Sequence, residues 1–312
     1  MVNTLVGSTA LRVAKCSRLF VIIKQNKAMA FVLRSCLRSL MFPAPEKPKR
    51  PWRSDACNKM LRTIAGDEVH CSLVCPFDDM GAAPRKPEDR LCIFLHGNAD
   101  DIESCTSYCQ WLADSLRMNV LVCDYPGYGF SSGEASQEGL EDAAITVMEY
   151  ATSKLQFDVS QVFVIGKSIG SYPAISLAAH PAFADSIRGL VLISPVASAA
   201  RCVFDCKKVP AFVMRRLDAV ALANIEHIAN VRCPICIVHG LQDDVVSVDN
   251  SHALLTMAKA DTYYPPLWLQ AGHNDIECKF KDLLLSNITD FMVECNQKEP
   301  AARVRSPYDD FL

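Results

Sequence analysis

Residues 163 to 173 read "FVIGKSIGSYP", and they set one serine, Ser168, between Gly166 and Gly170 at the end of an apolar run. A strand, a G-x-S-x-G and a helix form a nucleophile elbow, in which the serine occupies a strained turn and its hydroxyl stands above the sheet edge. Glycine is required there because a Cβ at either flanking position would meet neighbouring backbone. The alternative reading is a glycine-flanked strand end with no chemistry. A nucleophilic serine needs a base to take its proton and an acid to orient that base. After an elbow these follow in the order Ser, Asp, His, each just past a later strand. Asp243 follows "ICIVHG" in an H-G-x-x-D pattern, and His273 follows "LWLQAG". His96 and His239 close or lie within earlier runs, so His273 is the expected base. Asp243 is the expected acid, and its neighbour Asp244 is expected to be a solvated or loop-capping carboxylate. An oxyanion would take the backbone N–H of Ile169 and that of Asn98 in His96-Gly97-Asn98, where Gly97 lets the backbone approach. Otherwise these are unrelated polar loop residues.

The elements that must position these residues alternate along the chain. Short continuous apolar runs read as strands over 91–96, 120–125, 162–166, 190–194, 235–240 and 267–272. Continuous rather than alternating runs suit strands buried on both faces. Helical periods cover 105–117, 139–155, 252–260 and 280–295. The alternation predicts an α/β domain over 43–300, with a mostly parallel sheet between two layers of helices. Residues 196–229 have room for a small helical cap, with "ALANIEHI" as one helix. Within it Phe204, Val209, Phe212, Val213 and Met214 are expected either to line an acyl groove or to pack the cap down. Residues 301–312 read as a solvated tail.

The 312 residues carry a net charge of −3, which argues against general nucleic-acid binding. Fifteen cysteines are scattered through strands and helices, and with no secretory signal pattern they read as free thiols of a reducing compartment. Cys233-Pro-Ile-Cys236 has zinc-like spacing but no second ligand pair, and it opens an apolar run, so it reads as strand. No metal or cofactor is expected. Residues 1–42 differ from the rest. They hold no Asp or Glu, and they hold Arg12, Lys15, Arg18, Lys24, Lys27, Arg34 and Arg38. Between Met29 and Met41 a helical face through Ala30, Leu33, Leu37, Leu40 and Met41 lies beside Arg34 and Arg38. This segment is expected to lie on an anionic membrane surface, to pack on the domain, or to act as a mitochondrial targeting peptide. The corresponding expectation is a cytoplasmic, membrane-associated protein, with mitochondria as the alternative. Pro43, Pro45, Pro48 and Pro51 then end any helix.

The stretches "FLHGNADD", "CDYPGYGFSSG", "VIGKSIGSYPA", "LDAVALANIEHI", "IVHGLQDDVV" and "PPLWLQAGHNDIE" occur in this order. Together they resemble the α/β-hydrolase domain-containing protein 17 group and its wider α/β-hydrolase relatives, which include membrane-associated protein depalmitoylases. The similarity runs from about Phe42 to Asn296. The resemblance implies an α/β-hydrolase fold and a serine hydrolase that cleaves the thioester between palmitate and a protein cysteine. Ser168 would be the nucleophile, Asp243 the acid, His273 the base, and Asn98 and Ile169 the oxyanion hole. Two departures stand out. Close relatives begin with a dense cysteine cluster, whereas only Cys16 and Cys36 precede the domain here. Lys167 also stands where relatives usually carry glutamine.

The leading expectation is therefore a thioesterase whose partner is an S-acylated protein. Next stands a carboxylesterase or lipase on small or lipid esters, and after it a serine peptidase, which usually carries a larger cap. A non-catalytic scaffold would not need all three triad types. A haloalkane dehalogenase would need aspartate in place of Ser168.

Overall fold

A computed structural model describes residues 41–42, 57–77, 90–204, 206, 208–259 and 262–297. The basic segment before Met41 and the tail after Gln297 lie outside the described residues. The strands are β1 (Asn58–Arg62), β2 (Glu68–Val74), β3 (Leu91–Leu95), β4 (Asn119–Cys123), β5 (Val162–Lys167), β6 (Gly189–Ile193), β7 (Ile235–Gly240) and β8 (Leu267–Leu269). They form one eight-stranded sheet in the order β1-β2-β4-β3-β5-β6-β7-β8. Only β2 runs against its neighbours; β4, β3, β5, β6, β7 and β8 are mutually parallel.

Helices α1 (Ile102–Leu116), α2 (Gln137–Ser153), α3 (Ser171–Ala179), α7 (Asp249–Met257) and α9 (Lys281–Gln297) flank the sheet. The two faces follow from the period of two along each strand. On β3, Leu91, Ile93 and Leu95 join one core with α2 and α3, while Cys92 and Phe94 join the other with α1 and α9. Every residue of β3, β4, β6 and β7 is buried, as a strand covered on both faces requires. Each fully buried Leu, Ile or Phe contributes about 1.5–3 kcal/mol relative to exposure.

The hairpin β1–β2 is the part of the sheet with no counterpart among the expected strands. β1 is half-buried to exposed, and in β2 the polar Glu68, His70 and Ser72 alternate with Val69 and Cys71, so the pair lacks the continuous apolar signature. Gly66, at φ +94°, closes the turn, and Thr63 N–H donates to the Asp67 carbonyl at 2.8 Å. The helix starts also move. α1 begins at Ile102 because Asp101 and Ser104 form a reciprocal capping box, and α2 begins after Ser136, whose hydroxyl accepts from Gly139 N–H. The run expected as a strand over 267–272 stops at Leu269, and Gln270 to Gly272 form the turn into His273.

The β6–β7 connection carries α4 (Ala199–Val203), α5 (Ala211–Asp218) and α6 (Asn224–His227). The helix expected across "ALANIEHI" is confined to α6 and a following 3₁₀ turn at Ile228–Asn230, because Leu222 sits at φ +50°. A partly buried ion pair links the first two helices: Arg201 Nε and Nη2 donate to Asp218 Oδ1 and Oδ2 at 2.9 and 3.0 Å. Ser198, which caps α4, also donates to Asp218 Oδ1 at 2.6 Å. Val213, Met214, Leu217 and Ala200 form a small core of their own, packed with Val209. Phe204 and Phe212 stay 38% and 48% exposed. The apolar residues of this segment are therefore divided between packing and surface. A last short helix, α8 (Ile276–Lys279), precedes α9.

The thirteen described cysteines are free thiols. Cys236 lies in β7 and Cys233 just before it, and burial pushes both thiols up to about 12. Among the described residues no helix is long and apolar enough to cross a membrane.

Candidate active site

Ser168 follows β5 directly and has φ +51°, a left-handed conformation that costs a non-glycine residue energy. Packing holds it there. A Cβ at Gly166 would lie 2.6 Å from Ala174 Cβ and 2.7 Å from the Gly170 carbonyl oxygen, and one at Gly170 would lie 2.1 Å from the Leu95 carbonyl oxygen. The glycines let α3 pass close under the turn and let the turn sit against the end of β3.

The ends of β7 and β8 are joined by backbone bonds. Leu241 N–H donates to the Leu269 carbonyl at 2.7 Å, and Gln242 N–H to the Ala271 carbonyl at 3.0 Å. This joint sets the loop with Asp243 against the turn with His273. His273 Nδ1 lies 2.7 Å from Asp243 Oδ2, and His273 Nε2 lies 3.0 Å from Ser168 Oγ. A carboxylate at Nδ1 fixes the proton there, which leaves Nε2 free to accept from the serine hydroxyl. Asp275 closes the histidine turn by accepting from Gly272 N–H at 3.1 Å. Ser168 and His273 are 8% and 9% exposed, so a reagent can reach them while most water is excluded.

Asp243 is held from several sides. Its Oδ1 accepts from the N–H of Val245 and of Val246 at 3.0 and 2.7 Å. Burial opposes its ionisation, but the contacts of His239 and His273 and the Val246 N–H outweigh burial. The carboxyl is held well below the usual carboxylate range. Asp244 is exposed, and the loop-capping role is filled by Asp243 itself.

Ile169 and Asn98 come from separate turns next to the serine. Ile169 lies in the 3₁₀ turn Ser168–Gly170. A Cβ on Gly97 would lie 3.8 Å from Ser168 Cβ, so the Gly97–Asn98 peptide runs directly beside Ser168. That peptide is fixed by groups that motif reading leaves without a role. His96 Nδ1 donates to the Gly97 carbonyl at 2.9 Å, which orients the same peptide whose N–H belongs to Asn98. Tyr125 donates to the His96 carbonyl at 3.0 Å and Tyr128 to Asn98 Oδ1 at 2.8 Å. Asn98 Nδ2 donates to the Met41 carbonyl at 2.9 Å. Buried Asp124 accepts from Ile102 N–H at 2.8 Å and meets His70 Nδ1 at 3.2 Å, which ties the "DYPGYG" turn to α1 and β2. Buried tyrosines next to glycines in that motif were the available signal, since a buried phenol needs a partner.

Lys167, just before the serine, forms a 2.9 Å ion pair with Glu277 of α8. Burial alone would lower its pKa, but Glu277 raises it above the ordinary value, so the ammonium stays charged. The pair ties the elbow to the helix that follows the histidine turn. Among the described residues no cluster of three or more His, Cys, Asp or Glu side chains could hold a metal.

A sheet of this order with Ser, His and Asp at its carboxyl edge defines the α/β-hydrolase class, and a family model described as the alpha/beta hydrolase fold matches residues 91–224. Alpha/beta hydrolase domain-containing protein 17B of Xenopus laevis is 32% identical over 70% of this chain and 69% of its own length. The alpha/beta hydrolase domain-containing protein aho-3 of Caenorhabditis elegans is 30% identical over 70% of this chain, an alignment that spans 60% of the worm protein. The chain belongs to the α/β-hydrolase domain-containing protein 17 group of this family. The esterase Pf2001 of Pyrococcus furiosus shares the fold, with a TM-score of 0.61 at 17% identity over 80% of this chain and 98% of that one. The chain is a hydrolase by family.

Proposed function

We propose that the protein is a serine hydrolase that works through an acyl-enzyme at Ser168, with S-acylated protein cysteines as its substrates. The observation that carries the reading is the unbroken chain from Ser168 Oγ to His273 Nε2 and from His273 Nδ1 to Asp243 Oδ2. Ser168 Oγ attacks the thioester carbonyl carbon while His273 Nε2 takes its proton. The N–H groups of Asn98 and Ile169 stabilise the oxyanion. The tetrahedral intermediate collapses, the C–S bond breaks, and His273 returns the proton to the departing cysteine thiolate. Water, deprotonated by His273, then releases the fatty acid and frees Ser168. Asp243 stays ionised throughout and stabilises the imidazolium.

Thioester preference draws its support from the resemblance to depalmitoylases and from the exposed apolar side chains Phe204 and Phe212 on the β6–β7 connection, which we read as a small cap that leaves the site open to a protein-borne chain. The basic segment 1–42 is proposed to hold the enzyme on anionic membrane; binding to anionic vesicles should need that segment and weaken as salt rises. The deciding experiment is turnover by purified protein of a palmitoyl-cysteine peptide beside a matched short-chain oxyester. A kcat/KM at least about tenfold higher on the thioester supports the proposal. The reverse ranking assigns the enzyme to small esters.

A further inference from the structure

His239 is the penultimate residue of β7, four positions before Asp243, and its side chain is fully buried. A buried imidazole must find partners for both nitrogens. Nε2 lies 2.8 Å from the Val246 carbonyl oxygen and 3.3 Å from Asp243 Oδ2. Both are acceptors, so the proton sits on Nε2. Nδ1 lies 2.6 Å from Ser251 Oγ at the start of α7, and the hydroxyl donates to it. The ring is thereby pinned between α7 and the loop that carries Asp243. Asp243 Oδ2 is also the oxygen that faces His273 Nδ1. One carboxylate oxygen therefore stands between two imidazoles, while the other takes two backbone N–H groups. Val246 closes the arrangement, since its N–H donates to Asp243 and its carbonyl accepts from His239.

We infer that His239 is a positioning residue for the proposed triad acid: its Nε2–H, shared between the Val246 carbonyl and Asp243 Oδ2, holds that oxygen on His273 Nδ1 and carries part of the carboxylate's charge. A three-centre bond with one longer arm is a weak constraint, but it acts in a dry site where a small rotation of the carboxylate turns the imidazole away from the serine. Cys202 of α4 is a further titratable group facing Asp243, and burial pushes its thiol up to about 12, so it adds no charge at working pH. This inference rests on the Ser168–His273–Asp243 reading of the site.

The test uses the full-length chain and three variants, with kcat, KM and the pH profile on a short-chain oxyester and a thermal melt for each. His239→Leu removes both ring contacts. His239→Gln keeps an N–H donor near the Nε2 position. His239→Asn is too short to reach Asp243 but can still meet Ser251. His239→Leu and His239→Asn should lose about tenfold in kcat with KM within about twofold, as the low end for a hydrogen bond to a charged group implies. His239→Gln should keep at least about a third of wild-type kcat. Without the Nε2–H donor, Asp243 becomes more basic and stabilises the imidazolium more. The acid limb of kcat/KM should therefore move to higher pH in His239→Leu and His239→Asn but not in His239→Gln. If His239→Leu does not fold, the Gln and Asn pair decides alone. Equal losses in Gln and Asn that track the folded fraction, with an unmoved acid limb, would overturn the inference. So would wild-type kcat in folded His239→Asn. Wild type and Ser168→Ala in the same assay keep the two levels apart: if they do not differ, the serine reading itself fails, whatever His239 does.

Discussion

The turns that carry Ser168, Asp243 and His273 are tied to one another across strand ends, by Leu241 to Leu269, Gln242 to Ala271 and Lys167 to Glu277. The β6–β7 connection is built differently. Its roots are anchored, with Ser171 Oγ accepting from Val196 N–H at 3.0 Å and Asn224 Nδ2 donating to the Val196 carbonyl at 2.6 Å. Farther out, α4 and α5 depend on the Arg201–Asp218 pair and a core of a few side chains. A site built on strand ends keeps the tolerance that the proposed proton transfer between His273 and Ser168 needs, since a misplacement of about 1 Å costs about a hundredfold. On the proposed function, a small-core connection can adjust to an acyl chain without disturbing that geometry. On the same proposal, chemistry lies at the strand ends and chain-length preference in the connection.

The largest break of this division is His273→Ala. It should lower kcat by about 10⁴-fold or more on every substrate, long or short, with little change in melting temperature, because triad members act as a unit. Steady-state kinetics with a long-chain and a short-chain ester checks it.

Asp243→Asn comes next, with about a 10³- to 10⁴-fold loss, because an amide at Nδ1 favours the wrong tautomer. Stability carries a second signature. Asp243 has its carboxyl pKa lowered in the folded state, so its contribution is complete above the unfolded value of about 3.9 and is lost as pH falls through the lower folded value. The difference in melting temperature between wild type and Asp243→Asn should hold from pH 7 to about pH 5 and shrink below about pH 4. A difference that stays constant in acid would mean that the carboxylate is not held in this way.

Asp218→Ala should separate the two regions. It leaves Arg201 and Ser198 without their shared acceptor, at a cost of about 2 kcal/mol. Hydrogen exchange should speed up across 199–218 and stay unchanged in β5 and β7. Turnover should fall about tenfold on long-chain substrates and less than about twofold on short ones. An equal fall on both would join the connection to the chemistry. The smallest effect is expected of Asp244→Asn, whose exposed side chain should leave kcat within about twofold of wild type. A loss matching that of Asp243→Asn would move the acid to Asp244.

How far the sequence reaches differs between the same two regions. The central parallel strands were legible because burial on both faces leaves continuous apolar runs, as in "VFVIG" and "ICIVHG". The β1–β2 hairpin was not, because β1 is half-buried and polar residues (Glu68, His70, Ser72) interrupt the apolar ones of β2. The serine, aspartate and histidine could be picked out by type, order and position after strands, since a nucleophile elbow constrains glycine spacing. The groups that hold them could not. His239, Asp124, Tyr125 and Tyr128 act through hydrogen bonds to backbone and to residues far along the chain, and no local pattern reports such partners. The connection was the least legible part, because α4 and α5 are too short to show a helical period and Leu222 interrupts the third helix at positive φ.

Ser168 is proposed to attack an acyl carbon with His273 and Asp243 behind it. Labelling with a fluorophosphonate probe, followed by mass spectrometric mapping of the modified peptide, tests it most directly. Wild-type protein should carry one phosphonyl group, on Ser168, and Ser168→Ala should carry none under the same conditions. Labelling of Ser168→Ala to the wild-type level, or a group mapped to another residue, would overturn the assignment of Ser168 as the nucleophile.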